Sequence, residues 1–411
     1  MRVLHTSDWH LGHTLKEVSR EDEHAQFLAW LLATCEHERP DVLLVTGDVF
    51  DTATPTAAAE RMWFELLATA RARCPHMAII AIAGNHDSPL RLTAAAPILD
   101  AVGVHVVGAL PRTATGAIDM DRVIIEVADG RALVAAVPFL RPGDLPAGGD
   151  AAGDPLEAVY AEVLAAARAR RRPEQALIAM GHLYVTGAEP SQLSERRIAI
   201  GGAESASLRM FADDLTYVAL GHMHRAQRVG RDTIRYAGSP LPLALDEARY
   251  RHQVVIIDVE PPSGVAIRTV PVPRAIEIAR IPSHGAAPLD DVLTAIAALP
   301  AHVAGAEHVR PYLEVVVALT RPEPKLRAII DAALDGKHAR LVRLGIEQTG
   351  TGAALADAAI PRRLAELDPR DVFEQLWQRD HAEPPSDAVR GAFERLLEAV
   401  RGDAADPAER S

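Results

Sequence analysis

Seven residues of this sequence carry oxygen or nitrogen donors in patterns that suit metal ligation. Asp8-Trp9-His10 sets a carboxylate and an imidazole two positions apart, on one face of an extended segment, so that both can reach one cation. Gly47-Asp48 puts a carboxylate after a permissive turn, where it could bridge two cations, and Gly84-Asn85-His86-Asp87 gathers an amide oxygen, an imidazole and a carboxylate in consecutive positions. Gly181-His182 and Gly221-His222-Met223-His224 add three imidazoles. Taken singly, each has a plainer reading: a Gly-Asp pair caps a turn, and a lone Gly-His is a turn histidine. All five in one chain, each after an apolar run, point to a shared site.

The donor set of Asp8, His10, Asp48, Asn85, His182, His222 and His224 contains no thiolate, which suits divalent ions of intermediate hardness such as Mn or Fe, leaves Zn open and disfavours Ca. Seven ligands with one shared carboxylate exceed a tetrahedral site and suit two ions about 3.5–4 Å apart, the spacing used in hydrolysis of phosphate esters. His86, one residue beyond Asn85, is left as an unligated imidazole able to protonate or stabilise a leaving oxygen, with Asp51 or another carboxylate to hold its tautomer.

The elements that must position these residues follow one grammar. Val3–Ser7, Val42–Thr46, Ala78–Ala83, Leu177–Met180 and Tyr217–Leu220 read as buried strands, each ending at a donor cluster. Glu21–Arg39 and Thr56–Arg73 carry apolar residues at helical spacing, and Leu156–Arg172 is a further helical run after the Pro/Gly/Asp-rich loop 141–155. The helical stripes read first as core, with the second helix and Leu92–Val102 as candidate dimer surfaces. A hairpin over 254–272, turning at Pro261-Pro262-Ser263-Gly264, closes a first α/β domain over 1–273. The pattern restarts over 274–348 as a smaller α/β layer: strand 276–281, helix 289–299, strand 312–320, helix 323–334 and strand 340–348. Residues 349–365 read as a linker, and two amphipathic helices, 371–378 and 387–400, fall within 366–400.

Composition sets bounds. With 411 residues, 48% hydrophobic and 24% charged, the chain is globular and long enough for two or three domains. A net charge of −13 argues against coating nucleic acid by bulk positive charge but not against a local basic groove. Arg168-Ala169-Arg170-Arg171-Arg172 reads as a solvated helix end, and no residue is assigned to DNA contact. Two cysteines without paired spacing, no leader-type apolar stretch and no long apolar run lead to the expectation of a cytoplasmic protein with no membrane contact. A P-loop requires Gly-Lys-Ser/Thr, whereas the Gly336-Lys337 pair is followed by His338, so the chain should not bind ATP in that way.

The strings DWH, GDVFD, GNHD, GH and GHMH resemble the signatures of the calcineurin-like metallophosphoesterases. The fuller strings HTSDWHLG, TGDVFDTATP, AGNHDSP and YAGSPLPL are more closely similar to the SbcD nuclease subunits of bacterial SbcCD complexes, and the likeness runs through roughly the whole chain. The resemblance implies an α/β fold with a two-sheet β-sandwich core flanked by helices, a small α/β capping domain at 274–348, and C-terminal helices that dock on an ATPase partner. It implies one manganese held by Asp8, His10, Asp48 and His224, a second by Asp48, Asn85, His182 and His222, and His86 as the catalytic histidine. Asp51 stands where archaeal and eukaryotic relatives often have histidine, so no two-histidine relay is expected. It further implies an SbcC-type coiled-coil ATPase as partner and a homodimer within a heterotetramer. The implied activity is 3′-to-5′ exonuclease and hairpin endonuclease action on double-stranded DNA in recombination, replication and repair. Two rival readings are a phosphatase or cyclic-nucleotide phosphodiesterase of the same chemistry, and a non-catalytic scaffold for the ATPase.

Overall fold

The computed structural model describes residues 1–145, 154–191, 205–260, 264–302, 304–305 and 309–349, with isolated positions between 373 and 393. The chain begins with β1 (Arg2–Thr6), the small hairpin β2 (Thr14–Leu15) and β3 (Val18–Ser19), α1 (Glu21–Glu38), β4 (Val42–Thr46), α2 (Ala57–Arg73) and β5 (Ala78–Ile82). Short helices α3 (Pro89–Leu92) and α4 (Ala96–Asp100) lead to β6 (Val104–Val107), α5 (Met120–Val123), β7 (Ile124–Val127) and β8 (Ala132–Ala136). Then come α6 (Pro155–Arg170), β9 (Ala176–His182), β10 (Tyr217–Gly221), β11 (Gln227–Val229), β12 (Arg231–Tyr236), β13 (Gln253–Glu260) and β14 (Gly264–Pro271).

These strands form two six-stranded sheets, in the orders β14-β13-β1-β4-β5-β6 and β11-β12-β10-β9-β8-β7. Alternation of side chains explains the layering. In the first sheet Val3, Val42, Leu44, Ile80 and Ile82 point inward and meet Val134, Ile178, Met180 and Ala219 of the second sheet in one apolar layer. Their neighbours Leu4, Leu43, Val45, Ile79 and Ala81 point outward, under Phe27, Leu31, Trp63 and Leu66 of α1 and α2. Leu133, Leu177, Ala179, Val218 and Leu220 are covered in the same way by Tyr160, Val163 and Leu164 of α6. Both faces of each central strand are therefore dry, which is why these strands read as unbroken apolar runs.

Helix α1 begins with Glu21, Asp22 and Glu23, whose negative charge favours a helix N-terminus, and it stops at Arg39, which takes a left-handed conformation. Thr56 caps α2 by accepting a hydrogen bond from Ala59 N. The Leu92–Val102 stretch is two short helices in which Leu92 and Leu99 are buried and Leu90, Ile98 and Val102 are exposed. The arginines of 168–172 are engaged: Arg168 with Asp214 at 2.8 and 2.9 Å, Arg170 with Asp121 at 2.7 Å, Arg171 with Gln175 O at 2.7 Å, and Arg172 with Glu126 at 3.2 Å.

A third, four-stranded parallel sheet comprises β15 (Ile278–Ile281), β16 (Ala287–Pro288), β17 (Tyr312–Leu319) and β18 (Arg340–Gln348), with β17 paired to the other three. Helices α7 (Leu289–Ala297) and α8 (Leu326–Leu334) close a core of Val292, Ile296, Leu313, Val315, Val317 and Ile330. The two-residue strand β16 is too short to leave a periodic signal in the sequence. This layer has its own core, yet it belongs to the same compact unit as the two large sheets, Met1–Leu319 with Glu323–Gln348. The joint between them is built by Leu15, Leu245, Ile276 and Tyr312.

Thr320–Pro322 and 349–411 form a second unit. Within it Phe373, Trp377, Val389, Arg390, Ala392 and Phe393 are helical, and the rings of Phe373 and Phe393 stack with centroids 4.2 Å apart. The remainder of the two expected C-terminal helices, the linker beyond residue 349, Arg196-Arg197, positions 146–153 and the turn 261–263 lie outside the described residues.

Candidate metal centre

Strands β1, β4 and β5 run parallel in one sheet, and β9 and β10 run parallel in the other. Their carboxyl ends consequently emerge together at one edge of the sandwich, where α/β sheets present their loops to ligands. Trp9 is buried between Phe27 and Trp63 under the helices, so that its neighbours Asp8 and His10 are left for the site. Main-chain bonds from Asp8 N to Gly47 O (3.0 Å) and His10 N to Asp48 O (3.0 Å) lock the first two loops together. The buried Asp87 carboxylate adds the third loop by accepting from Val49 N (3.1 Å), Phe50 N (2.9 Å) and Gly84 N (2.8 Å). Burial and the nearby Asp48 charge push Asp87 up to about 6, against the pull of those three N–H groups.

The close approach of these loops requires glycine. A Cβ on Gly84 would lie 2.1 Å from Asp48 Oδ1, and one on Gly221 would lie 1.8 Å from Thr46 O. Asp8, His10, Asp48 and His222 hold φ of 54°, 48°, 48° and 100°, in the left-handed region that L-residues disfavour. Four donor-bearing residues are thus held in costly backbone conformations by the packing around them.

The sequence-predicted donors converge. Asp8, His10 and His224 bring one donor atom each within 4.8 Å of one another, and so do Asp48, His182 and His222. His10 Nε2 lies 3.6 Å from Asp48 Oδ2, and His182 Nε2 lies 3.3 Å from the same oxygen, so Asp48 stands between the two groups. Asn85 Oδ1 is 3.0 Å from both His182 Nε2 and His222 Nδ1. His10, Asp48 and His86 make a third such group, but His86 is the exposed member.

Tautomers follow from the outer partners. His182 Nδ1 donates to Thr46 O at 2.8 Å, His10 Nδ1 to Asp51 Oδ1 at 3.1 Å, and His224 Nδ1 to Glu247 Oε1 at 2.9 Å. Each ring then turns its Nε2 lone pair inward, the arrangement of histidines that ligate metals. His10 Nε2 is buried without a hydrogen-bond partner. In the neutral rings, lone pairs of His182 Nε2, Asn85 Oδ1 and Asp48 Oδ2 face each other, a repulsive set that a cation would reconcile, so the residues present fit divalent metal. Charge tells the same story: burial disfavours a cation at His182, yet the Asp48 carboxylate outweighs it and pushes that imidazole up to about 9. Burial would raise Asp48, but His182, His10 and His86 hold it well below the usual carboxylate range. His222 is pushed down to about 3 by burial and then by the His182 charge.

His86 donates from Nδ1 to the main-chain oxygen of Asp51 at 2.7 Å, and its own N–H donates to Asp48 Oδ1 at 2.8 Å. The tautomer is therefore held by a carbonyl rather than by a carboxylate, because the Asp51 side chain is occupied with His10. The centre opens into a cleft of about 1030 Å³ whose walls include Lys16, Leu243, Leu245 and, from β18, Arg343. Sequence reasoning did not reach Glu247, Lys16 or Arg343. Glu247 and Arg343 lie in no motif, and Lys16 is marked only by the tight Lys16-Glu17 turn of the β2–β3 hairpin, where both residues have positive φ.

The SbcD component of the SbcCD nuclease from Rhodobacter capsulatus is 40% identical to this chain over 389 residues, 91% of this chain and 93% of that one. The chain belongs to the SbcD family. SbcD-family proteins of Bacillus subtilis and Escherichia coli align at 36% over 271 residues and 35% over 273. These cover 64% of this chain and 67% of the first relative, and 62% of this chain and 64% of the second. The family model of calcineurin-like phosphoesterases matches residues 1–226, and one described as a type 5 capsule protein repressor C-terminal domain matches 274–381. All seven candidate ligands and His86 of this SbcD-family chain lie inside the phosphoesterase match, whereas Glu247 and Arg343 lie beyond it. Among the described residues no helix is long and apolar enough to cross a membrane.

Proposed function

We propose that this chain is the nuclease subunit of an SbcCD-type complex, hydrolysing phosphodiester bonds of double-stranded DNA. The modes proposed are 3′-to-5′ exonuclease action and endonuclease action at hairpins and blocked ends. The observation that carries this reading is the meeting of two donor groups at Asp48 with an exposed imidazole, His86, beside them. Asp8, His10, Asp48 and His224 would hold one ion, and Asp48, Asn85, His182 and His222 the other, with manganese as the proposed metal. Two bound divalent cations supply charge neutralisation of the phosphate and a water acidic enough to be deprotonated near neutral pH.

The chain's own residues do the rest. Asp51 orients His10, and Thr46 O orients His182. His86, fixed through Nδ1, presents Nε2 to the cleft, where its protonated form can give a proton to the leaving oxygen. Lys16 on the wall places positive charge where an anionic backbone would pass, whereas Arg343 is paired with Glu314 at 2.7 Å. For assembly, we place an SbcC-type coiled-coil ATPase on the C-terminal segment, in a heterotetramer built on a dimer of this chain, in the cytoplasm.

The test is cleavage of a hairpin DNA beside a p-nitrophenyl phosphate diester, with chelation and manganese add-back. Chelator-sensitive, manganese-restored cleavage of the hairpin is expected. Turnover of the small diester with intact hairpin would replace this reading with that of a small-molecule phosphodiesterase.

A further inference from the structure

Glu247 lies in the 3-10 turn Leu245–Arg249, outside every motif, and is fully buried. A carboxylate is costly to bury unless its oxygens are satisfied, and here they are divided between two duties. Oε1 accepts from His224 Nδ1 at 2.9 Å, and Oε2 accepts from Leu243 N at 2.7 Å. The first bond keeps the proton of His224 on Nδ1 and turns its Nε2 toward Asp8 and His10. The second fastens Glu247 to the segment just after Pro242, whose carbonyl accepts from Nη1 of the buried Arg20.

Arg20 is held by Glu23 at 2.5 and 2.8 Å, and Glu23 Oε1 also accepts from the hydroxyl of Tyr312 at 2.9 Å. Tyr312 opens β17, the strand around which the third sheet is built, and its ring packs with Leu15, Leu245 and Ile276. An unbroken polar chain therefore runs from Tyr312 through Glu23, Arg20, Pro242, Leu243 and Glu247 to His224. Arg20 and Glu23, both buried, have no surface role that would explain them.

We infer that Glu247 is a positioning residue for His224, and that the Arg20–Glu23 pair transmits the seating of the third sheet to that histidine. The inference rests on the reading of His224 as a metal ligand. It gives the third sheet a hold on one half of the centre, since His182 and His222 have no link to this chain among the contacts described.

The experiment measures manganese binding to the full-length protein by calorimetry and electron paramagnetic resonance, for wild type, Glu247→Ala, Glu247→Gln and Tyr312→Phe. Thermal melts of each accompany the binding data. Wild type should bind two ions. Glu247→Ala should weaken one of them about 10–100-fold and leave the other unchanged, as loss of an outer partner to a ligand does. Glu247→Gln, which keeps a single acceptor oxygen for two donors, should fall between, and Tyr312→Phe should weaken the same ion by a smaller factor with little change in melting. In the metal-free protein, nitrogen-resolved imidazole spectra should show His224 as the Nδ1–H tautomer in wild type and as a mixture in Glu247→Ala.

Equal weakening of both ions, or wild-type binding with an unchanged His224 tautomer, would overturn the assignment of Glu247. Should Glu247→Ala not fold, the Gln and Phe variants decide by the same criteria. Normal binding in Tyr312→Phe removes the link to the third sheet, and a wild-type protein that binds no manganese overturns the metal-centre reading itself.

Discussion

Gly84→Ala tests whether the centre depends on backbone contact between its loops. The new Cβ would fall 2.1 Å from Asp48 Oδ1 and 2.4 Å from Asp48 N, so the neighbour it meets includes main chain and cannot simply swing away. Gly84 itself has no left-handed φ, so alanine is acceptable there and the effect is purely steric. Restoring ordinary contact requires Asp48 or the Gly84 loop to move by about 1 Å, a misplacement that costs on the order of 100-fold in rate at a reacting centre. The same motion strains the His86 N–H bond to Asp48 Oδ1, 2.8 Å in the structure, and so shifts the two residues of greatest chemical interest together. Overpacking of this kind costs about 1–3 kcal/mol of stability, which leaves the protein folded. Gly143→Ala, with nothing within 4 Å of the added carbon, is the control. The assay is manganese-supported hairpin cleavage, with melting measured alongside. A Gly84→Ala protein that cleaves at the wild-type rate would refute the argument that Asp48 and Gly84 are in obligatory contact.

Further outcomes are expected. His86→Ala should keep its metal and lose cleavage by about 100- to 10,000-fold, the usual contribution of a positioned acid; normal cleavage would remove His86 from that role. Asp51→Ala takes away the 3.1 Å partner of His10 Nδ1 and should weaken manganese binding about 10–100-fold, read by calorimetry; unaltered affinity would show that His10 is held without it. Burial pushes His5 from 6.5 down to about 3, opposed by a main-chain bond at Leu220 and aided by Arg235. The unfolded chain takes up that proton between those values and the folded one does not, so stability must fall as pH drops below 6.5, by about 1.4 kcal/mol per pH unit from this group. Urea midpoints at neutral and mildly acidic pH should show this, and His5→Gln should flatten the slope; an equally steep variant would acquit His5.

The parts legible in the sequence are those governed by local pattern. Strands dry on both faces give apolar runs, and the turns after them carry the donors, so the β1, β4, β5, β9 and β10 ends could be found from residues 3–220 alone. The partners of those donors were not legible, because each is a contact between distant segments made by an ordinary residue. Glu247 is one acid among the 56 Asp and Glu of the chain, and only folding brings it under His224, 23 positions away. Asp51 was in view, but whether its side chain or its carbonyl would meet His86 depends on where His10 lies. Arg343 reaches the cleft from β18 of the third sheet, a matter of packing between layers that no periodicity records.

The left-handed backbone at Asp8, His10, Asp48 and His222 has an evolutionary consequence. Relieving any one of these positions with glycine recovers part of a penalty of about 1–3 kcal/mol, at the expense of a donor. Selection for thermal robustness alone would therefore favour glycine at these four positions, which sets the donors against the stability of the backbone that carries them.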